Sequence, residues 1–141
     1  MKHLLQSMVL AALAAPAAAL ACDGMMHQAS FEPWKATVAE VAQWTKEKRA
    51  TPIDANGEKT RSNEGVIPGA VLLTSSTGYA VTELPADKSV RLVFYCANEK
   101  CTASHTAAIR ALESGYTDVA ILPAGISGWR KAGQPTVKPS T

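Results

Sequence analysis

The stretch from Val90 to Cys101, VRLVFYCANEKC, decides how this chain is read. From Val90 to Tyr95 it is β-branched, aliphatic or aromatic, with one charge at Arg91. Such a continuous run suits a strand buried on both faces, which calls for a parallel sheet with cover on each side. The strand leads straight into Cys96, and a helical pattern opens a few residues later at Thr102. In open parallel sheets, ligands bind where strands end and helices begin. A thiol there meets loop N–H groups and the positive end of the next helix, and both favour thiolate over thiol. The bland alternative is a half-buried core cysteine, since free Cys packs like a small hydrophobe. Cys101 puts a second sulfur on the same tight loop. The spacing is not that of thioredoxin-like redox sites, and no second ligand pair completes a zinc site. Cys101 is either a disulfide or resolving partner for Cys96 or a residue packed under the helix start.

Outward from this loop, strands and helices alternate. Thr102 to Ser114 (TASHTAAIRALES) lines up Ala103, Ala107, Ala111 and Leu112 on one side of a helix that stops at Gly115. Asp118 to Leu122 is a second buried strand, and Gly125 to Lys131 (GISGWRK) a short helix closed by Gly133 and Pro135. Upstream, Thr37 and Glu40 form a capping box for a helix over Thr37 to Lys48. Thr51 to Ala55 is a short buried strand containing Asp54. Glu64 to Leu73 is a turn followed by an apolar run, and Ser75 to Lys88 a loop with one helical turn before Pro85. Trp44 and Trp129 are core aromatics. The pattern predicts an α/β fold, a parallel sheet with helices on both faces.

Met1 to Ala21 has the form of a signal peptide: a positive start at Lys2, an Ala-rich apolar run, and small residues at Ala19 and Ala21. Gln6, Ser7 and Pro16 interrupt the run and no basic stop-transfer cluster follows, which disfavours a membrane anchor. The expected product is periplasmic or secreted, with no membrane span, and begins at Cys22. Lipidation of Cys22 is the less favoured alternative, because Ala19 stands where a bulky aliphatic is usual. The predicted organisation is leader 1–21, extended arm 22–33, domain 34–136 and tail 137–141. The arm's CDGMMH run offers soft donors at Cys22, Met25, Met26 and His27 that suit Cu(I), although a plain flexible start is the simpler expectation. Over all 141 residues, 47% are hydrophobic and 18% charged, a globular composition. The net charge of +2 is spread along the chain, so no basic stripe points to nucleic acid. Three cysteines, an odd number, exclude a closed disulfide framework within one molecule.

Four pieces in order resemble the single-domain rhodaneses, the sulfurtransferase family. IDAN (Ile53 to Asn56) is similar to the family's strand ending in Asp, and GVIPGA (Gly65 to Ala70) to its GHIPGA turn. VFYCANEKC resembles the strand and active-site loop, and SGYTDVAILPAGISGW (Ser114 to Trp129) the helix end, strand and Gly-Gly-Trp element. The resemblance implies a five-stranded parallel sheet and a rhodanese-type enzyme without metal or cofactor. It makes Cys96 the nucleophile and Ala97, Asn98, Glu99, Lys100, Cys101 and Thr102 the active-site loop. Cys96 would take sulfane sulfur from thiosulfate, polysulfide or a persulfide, hold it as a persulfide among the loop N–H groups, and pass it to a thiol or cyanide. The partners implied are thus a small sulfur donor and a thiol acceptor; no protein partner is indicated.

The departures from the family pattern are informative. Asn56 stands where an Arg usually follows the strand Asp, with Arg61 as its substitute, and Val66 replaces the His of the turn. Glu99 and Lys100 occupy loop positions where glycine and arginine are common. Glu99 repels anionic donors, and Lys100 compensates donor charge. Asp54 is expected to orient the loop or a cationic partner. His105, on the helix after the loop, is either a proton-transfer assistant or a helical histidine with no role. A different class of function also fits: a non-catalytic sulfur-binding or thiol-redox module working through a Cys96–Cys101 disulfide.

Overall fold

A computed structural model describes residues 31–139. The strands are β1 (Trp34–Lys35), β2 (Thr51–Asp54), β3 (Val71–Leu72), β4 (Leu92–Tyr95) and β5 (Val119–Leu122). The helices are α1 (Val38–Lys46), α2 (Glu58–Glu64), α3 (Ala103–Glu113) and α4 (Gly125–Lys131), with a 3-10 turn at Val81–Glu83. The strands form one sheet in the order β1-β5-β4-β2-β3, every neighbouring pair parallel. The expected α/β architecture with a five-stranded parallel sheet is what the molecule has.

The run that decided the fold lies at the centre. Leu92, Val93, Phe94 and Tyr95 pair with Thr51 to Asp54 on one side and Val119 to Leu122 on the other. All four β4 residues are fully buried. Because side chains alternate across a strand, β4 and β5 feed two cores. Leu92, Phe94, Val119 and Ile121 join Ala107, Ala108 and Ala111 of α3. Val93, Tyr95, Ala120 and Leu122 face Val41 and Trp44 of α1 and Ile126 and Trp129 of α4. The small alanines of α3 let its backbone lie close to the sheet.

Local signals explain most boundaries. Thr37 Oγ1 accepts from the Glu40 N–H at 3.3 Å, and Glu40 Oε2 accepts from the Thr37 N–H at 2.8 Å, completing the expected capping box. Gly115, at φ +92°, follows the α3 C-cap Ser114. Two elements depart from the sequence expectation. The segment between Asn56 and the turn expected from Glu64, to which the sequence assigned no element, is the helix α2, and an unexpected short strand, β1, follows the expected arm at the start of the domain. Val137, at the start of the expected tail, is tied to Val66 by two backbone hydrogen bonds of 2.9 Å. The signal peptide, Cys22 and the CDGMMH run lie outside the described residues. Among the described residues no helix is long and apolar enough to cross a membrane.

Candidate active site

Cys96 follows β4 directly and is 2% exposed. The start of its loop is clamped from α4: Ile126 N–H donates to the Cys96 carbonyl at 2.8 Å, and Ser127 N–H to that of Ala97 at 3.0 Å. Gly125 makes this approach possible. Its φ is +60°, and a Cβ there would lie 2.6 Å from the Cys96 carbonyl oxygen and 2.7 Å from Ala97 backbone atoms. Only glycine combines that conformation with that contact.

The loop then closes on itself. Asn98 accepts twice, through its carbonyl from the Cys101 N–H and through Oδ1 from the Lys100 N–H, both at 3.0 Å. Cys96 and Cys101 are joined as a disulfide, with their Cα atoms 6.3 Å apart. The Cys101 carbonyl oxygen lies 3.2 Å from Cys96 Sγ, and Ser104 Oγ of α3 lies 3.4 Å from it. Ser104 is itself only 4% exposed. Among the described residues, no N–H group of Ala97 to Thr102 donates to the Cys96 sulfur. The expected cradle of loop N–H groups is therefore absent from this disulfide state. Asn98 has taken two of those donors, and the sulfur has turned towards Cys101 instead.

Asp54 ends β2 fully buried. Its Oδ1 accepts from the Asn56 N–H at 2.7 Å and from Arg61 Nε at 3.1 Å. Arg61 Nη2 also donates to the carbonyls of Asp54 and Leu73, each at 2.9 Å. The guanidinium thus straps α2 to the ends of β2 and β3. Arg61 does reach Asp54, although neither residue hydrogen-bonds the 97–102 loop. Their contribution is architectural, and Asp54 Oδ2 and Asn56 Nδ2 are buried without partners. Tyr95, immediately before Cys96, accepts at its hydroxyl from the Ile67 N–H at 3.0 Å. Burial, then the negative charge of Asp54, push the Tyr95 phenol far above its ordinary range, so it stays protonated.

Glu99, Lys100 and Thr102 are exposed, while Ala97 and Cys101 are half-buried. His105 is engaged elsewhere: its Nε2 lies 3.0 Å from Glu32 Oε2 of the N-terminal arm. A small cleft of about 270 Å³ opens beside Ala97 and Asn98, walled by Lys59, Thr60 and Asn63 of α2 and by Ser127 of α4. A larger groove of about 1020 Å³ runs past Pro52, Pro68 and Pro135 and shares no residue with the sulfur loop. Among the described residues no cluster of His, Cys, Asp and Glu is arranged to hold a metal. The structure thus brings together Cys96, Cys101 and Ser104, holds Asp54 with Arg61 as a separate pair, and leaves His105 outside. Sequence reasoning missed Ser104, whose only signal was a polar residue on the otherwise small, apolar face of α3.

Comparison with known proteins agrees with this geometry. The rhodanese-like domain family model matches residues 37–132. A thiosulfate sulfurtransferase from Pseudomonas aeruginosa superposes with a TM-score of 0.63 at 25% identity, over 77% of this chain and 21% of that one. A rhodanese-related protein from Thermoplasma volcanium gives 0.55 at 17% identity, over 75% and 99%. A Rhodopseudomonas palustris protein described as a possible tyrosine phosphatase gives 0.59 at 23% identity, over 74% and 85%. No curated protein matches significantly. The chain belongs to the rhodanese-like domain family.

Proposed function

We propose that the protein is an extracytoplasmic sulfurtransferase that carries sulfane sulfur on Cys96. The observation that carries this reading is the placement of the thiol. Cys96 directly follows the central strand of a rhodanese-like sheet, opens the loop that leads to α3, and lies beside a buried hydroxyl. The donor is thiosulfate, polysulfide or a persulfide; the acceptor is a thiol or cyanide. A thiol first opens the Cys96–Cys101 disulfide. The Cys96 thiolate then attacks the outer sulfur of thiosulfate, the sulfur–sulfur bond breaks, and sulfite leaves with the bonding pair. The Ser104 hydroxyl and the N-terminal end of α3 offset the thiolate and persulfide charge. Lys59 of the adjacent cleft and Lys100 of the loop favour an anionic donor, and Glu99 opposes it. The leader at Met1 to Ala21 and the disulfide both suit an oxidising compartment.

The leaving group provides the test. Fully reduced protein mixed with thiosulfate is expected to release about one equivalent of sulfite in a first turnover. Cys96→Ser and the disulfide form should release none. Sulfite from Cys96→Ser would overturn the assignment. So would the absence both of sulfite from thiosulfate and of sulfur uptake from inorganic polysulfide.

The disulfide itself favours a second reading, a thiol-redox module that transfers no sulfur. In that case the Cys96–Cys101 bond opens and closes with thiols, and the reduced protein releases no sulfite from thiosulfate. Ready reopening by dithiol, followed by sulfite release, selects the transferase.

A further inference from the structure

We propose that Cys101 is an internal acceptor that attacks the Cys96 persulfide at its inner sulfur, so that sulfane sulfur not taken by an outside thiol or cyanide leaves as hydrosulfide. The inference rests on the persulfide reading of Cys96 and specifies where its sulfur goes. In the disulfide form Cys96 is 2% exposed and Cys101 is the sulfur placed against it. The Cα separation of 6.3 Å lies within the range disulfides span. The Asn98 turn holds the intervening segment in the conformation that brings the two sulfurs together.

The step balances without a cofactor. The Cys101 thiol attacks the inner sulfur of the Cys96 persulfide. A Cys101–Cys96 bond forms, the bond to the outer sulfur breaks, and that sulfur leaves as hydrosulfide with the proton from Cys101. The cysteine pair supplies two electrons and ends as the disulfide. A dithiol, or two monothiols, must return them.

The structure also suggests which sulfur that reductant attacks. Cys101 is half-buried, whereas Cys96 is enclosed, so an incoming thiolate reaches Cys101. Attack at Cys101 makes Cys96 the leaving group. Its nascent thiolate lies beside Ser104 Oγ, and a better-stabilised thiolate leaves faster. Each reduction thereby regenerates the nucleophile for the next donor. Over a full cycle, a sulfane donor and two thiol equivalents become sulfite, hydrosulfide and a disulfide when the donor is thiosulfate.

A single turnover of the full chain tests this. Reduced protein, freed of reductant under anaerobic conditions, is mixed with one equivalent of thiosulfate, and sulfite, hydrosulfide and intact mass are read together. The wild type is expected to release about one equivalent of each and to become about 2 Da lighter as the disulfide closes. Cys101→Ser is expected to release sulfite, hold the sulfur as an adduct of about 32 Da, and give less than about a tenth of the hydrosulfide. Wild-type protein that releases sulfite but keeps the adduct, with Cys101 still alkylatable, overturns the internal-acceptor inference alone. Equal hydrosulfide from Cys101→Ser does the same. Absence of both sulfite and adduct in both proteins instead overturns the persulfide reading on which it rests.

Discussion

Ser104 and Arg61 are the two side chains whose loss separates chemistry from architecture. Ser104 Oγ lies 3.4 Å from the Cys96 sulfur, close enough to stabilise its charged form. Ser104→Ala is expected to slow the first-turnover sulfite burst about tenfold at neutral pH, as one hydrogen bond to a charged group is lost. Stability should change little, so stopped-flow sulfite rates read beside denaturant unfolding separate a chemical role from a structural one. Arg61 acts differently. Its Nε and Nη2 hold Asp54 and two strand-end carbonyls, and Asp54 is fully buried. Arg61→Ala should therefore cost about 3 kcal/mol in denaturant unfolding, because it leaves a buried carboxylate without its cation. The position of Cys96 was legible in the sequence because a thiol directly after the apolar LVFY run has few places to be. Ser104 was not, since a serine inside a helical pattern carries no mark of the sulfur that its neighbours bring to it.

At the scale of elements, the clamp between α4 and the sulfur loop turns on one glycine. Gly125→Ala forces a Cβ to 2.6 Å from the Cys96 carbonyl at a φ of +60°. It is expected to destabilise the fold by about 2 kcal/mol or more and to abolish the sulfite burst by shifting the loop. Gly133 offers the comparison, having a φ of +73° but nothing within 4 Å of an added Cβ. Gly133→Ala should cost about 1 kcal/mol and leave the burst intact. Denaturation midpoints and burst amplitudes for the pair distinguish strain alone from displacement of the site. The elements that escaped sequence reading share a physical cause. The α2 segment, EKTRSNE, has no buried residue, so no apolar stripe announces its period. β1 is two residues long and both are exposed, too short to show alternation. Where a segment buries a face, as α1, α3, β4 and β5 do, its type was readable.

For the whole molecule, the tyrosines predict how the fold responds to alkali. Burial is the leading cause at all three, Tyr79, Tyr95 and Tyr116, and each is held above its ordinary pKa, Tyr79 at about 12. Above pH 10 the unfolded chain loses phenolic protons that the native protein keeps, so it binds fewer protons than the folded form. Stability should be unaffected by these groups below pH 10 and fall progressively as pH climbs towards about 12. Phenolate absorbance should then appear together with loss of native signal; full ionisation at pH 10 in a folded protein would contradict it. The alternation of strands and helices made the parallel sheet legible. The strand order β1-β5-β4-β2-β3 was not, because it depends on which crossovers pass over which neighbours rather than on any local pattern.

The claim beneath all of this is that Cys96 carries sulfane sulfur, and the mass of its own peptide tests it most directly. Cys101→Ser protein, reduced and then treated with thiosulfate or inorganic polysulfide, is digested without reductant and its cysteine peptides are weighed. The account predicts that the peptide containing Cys96 is heavier by about 32 Da, and that dithiol removes the extra mass. An unmodified Cys96 peptide, or the same adduct on another peptide in Cys96→Ser, would contradict it.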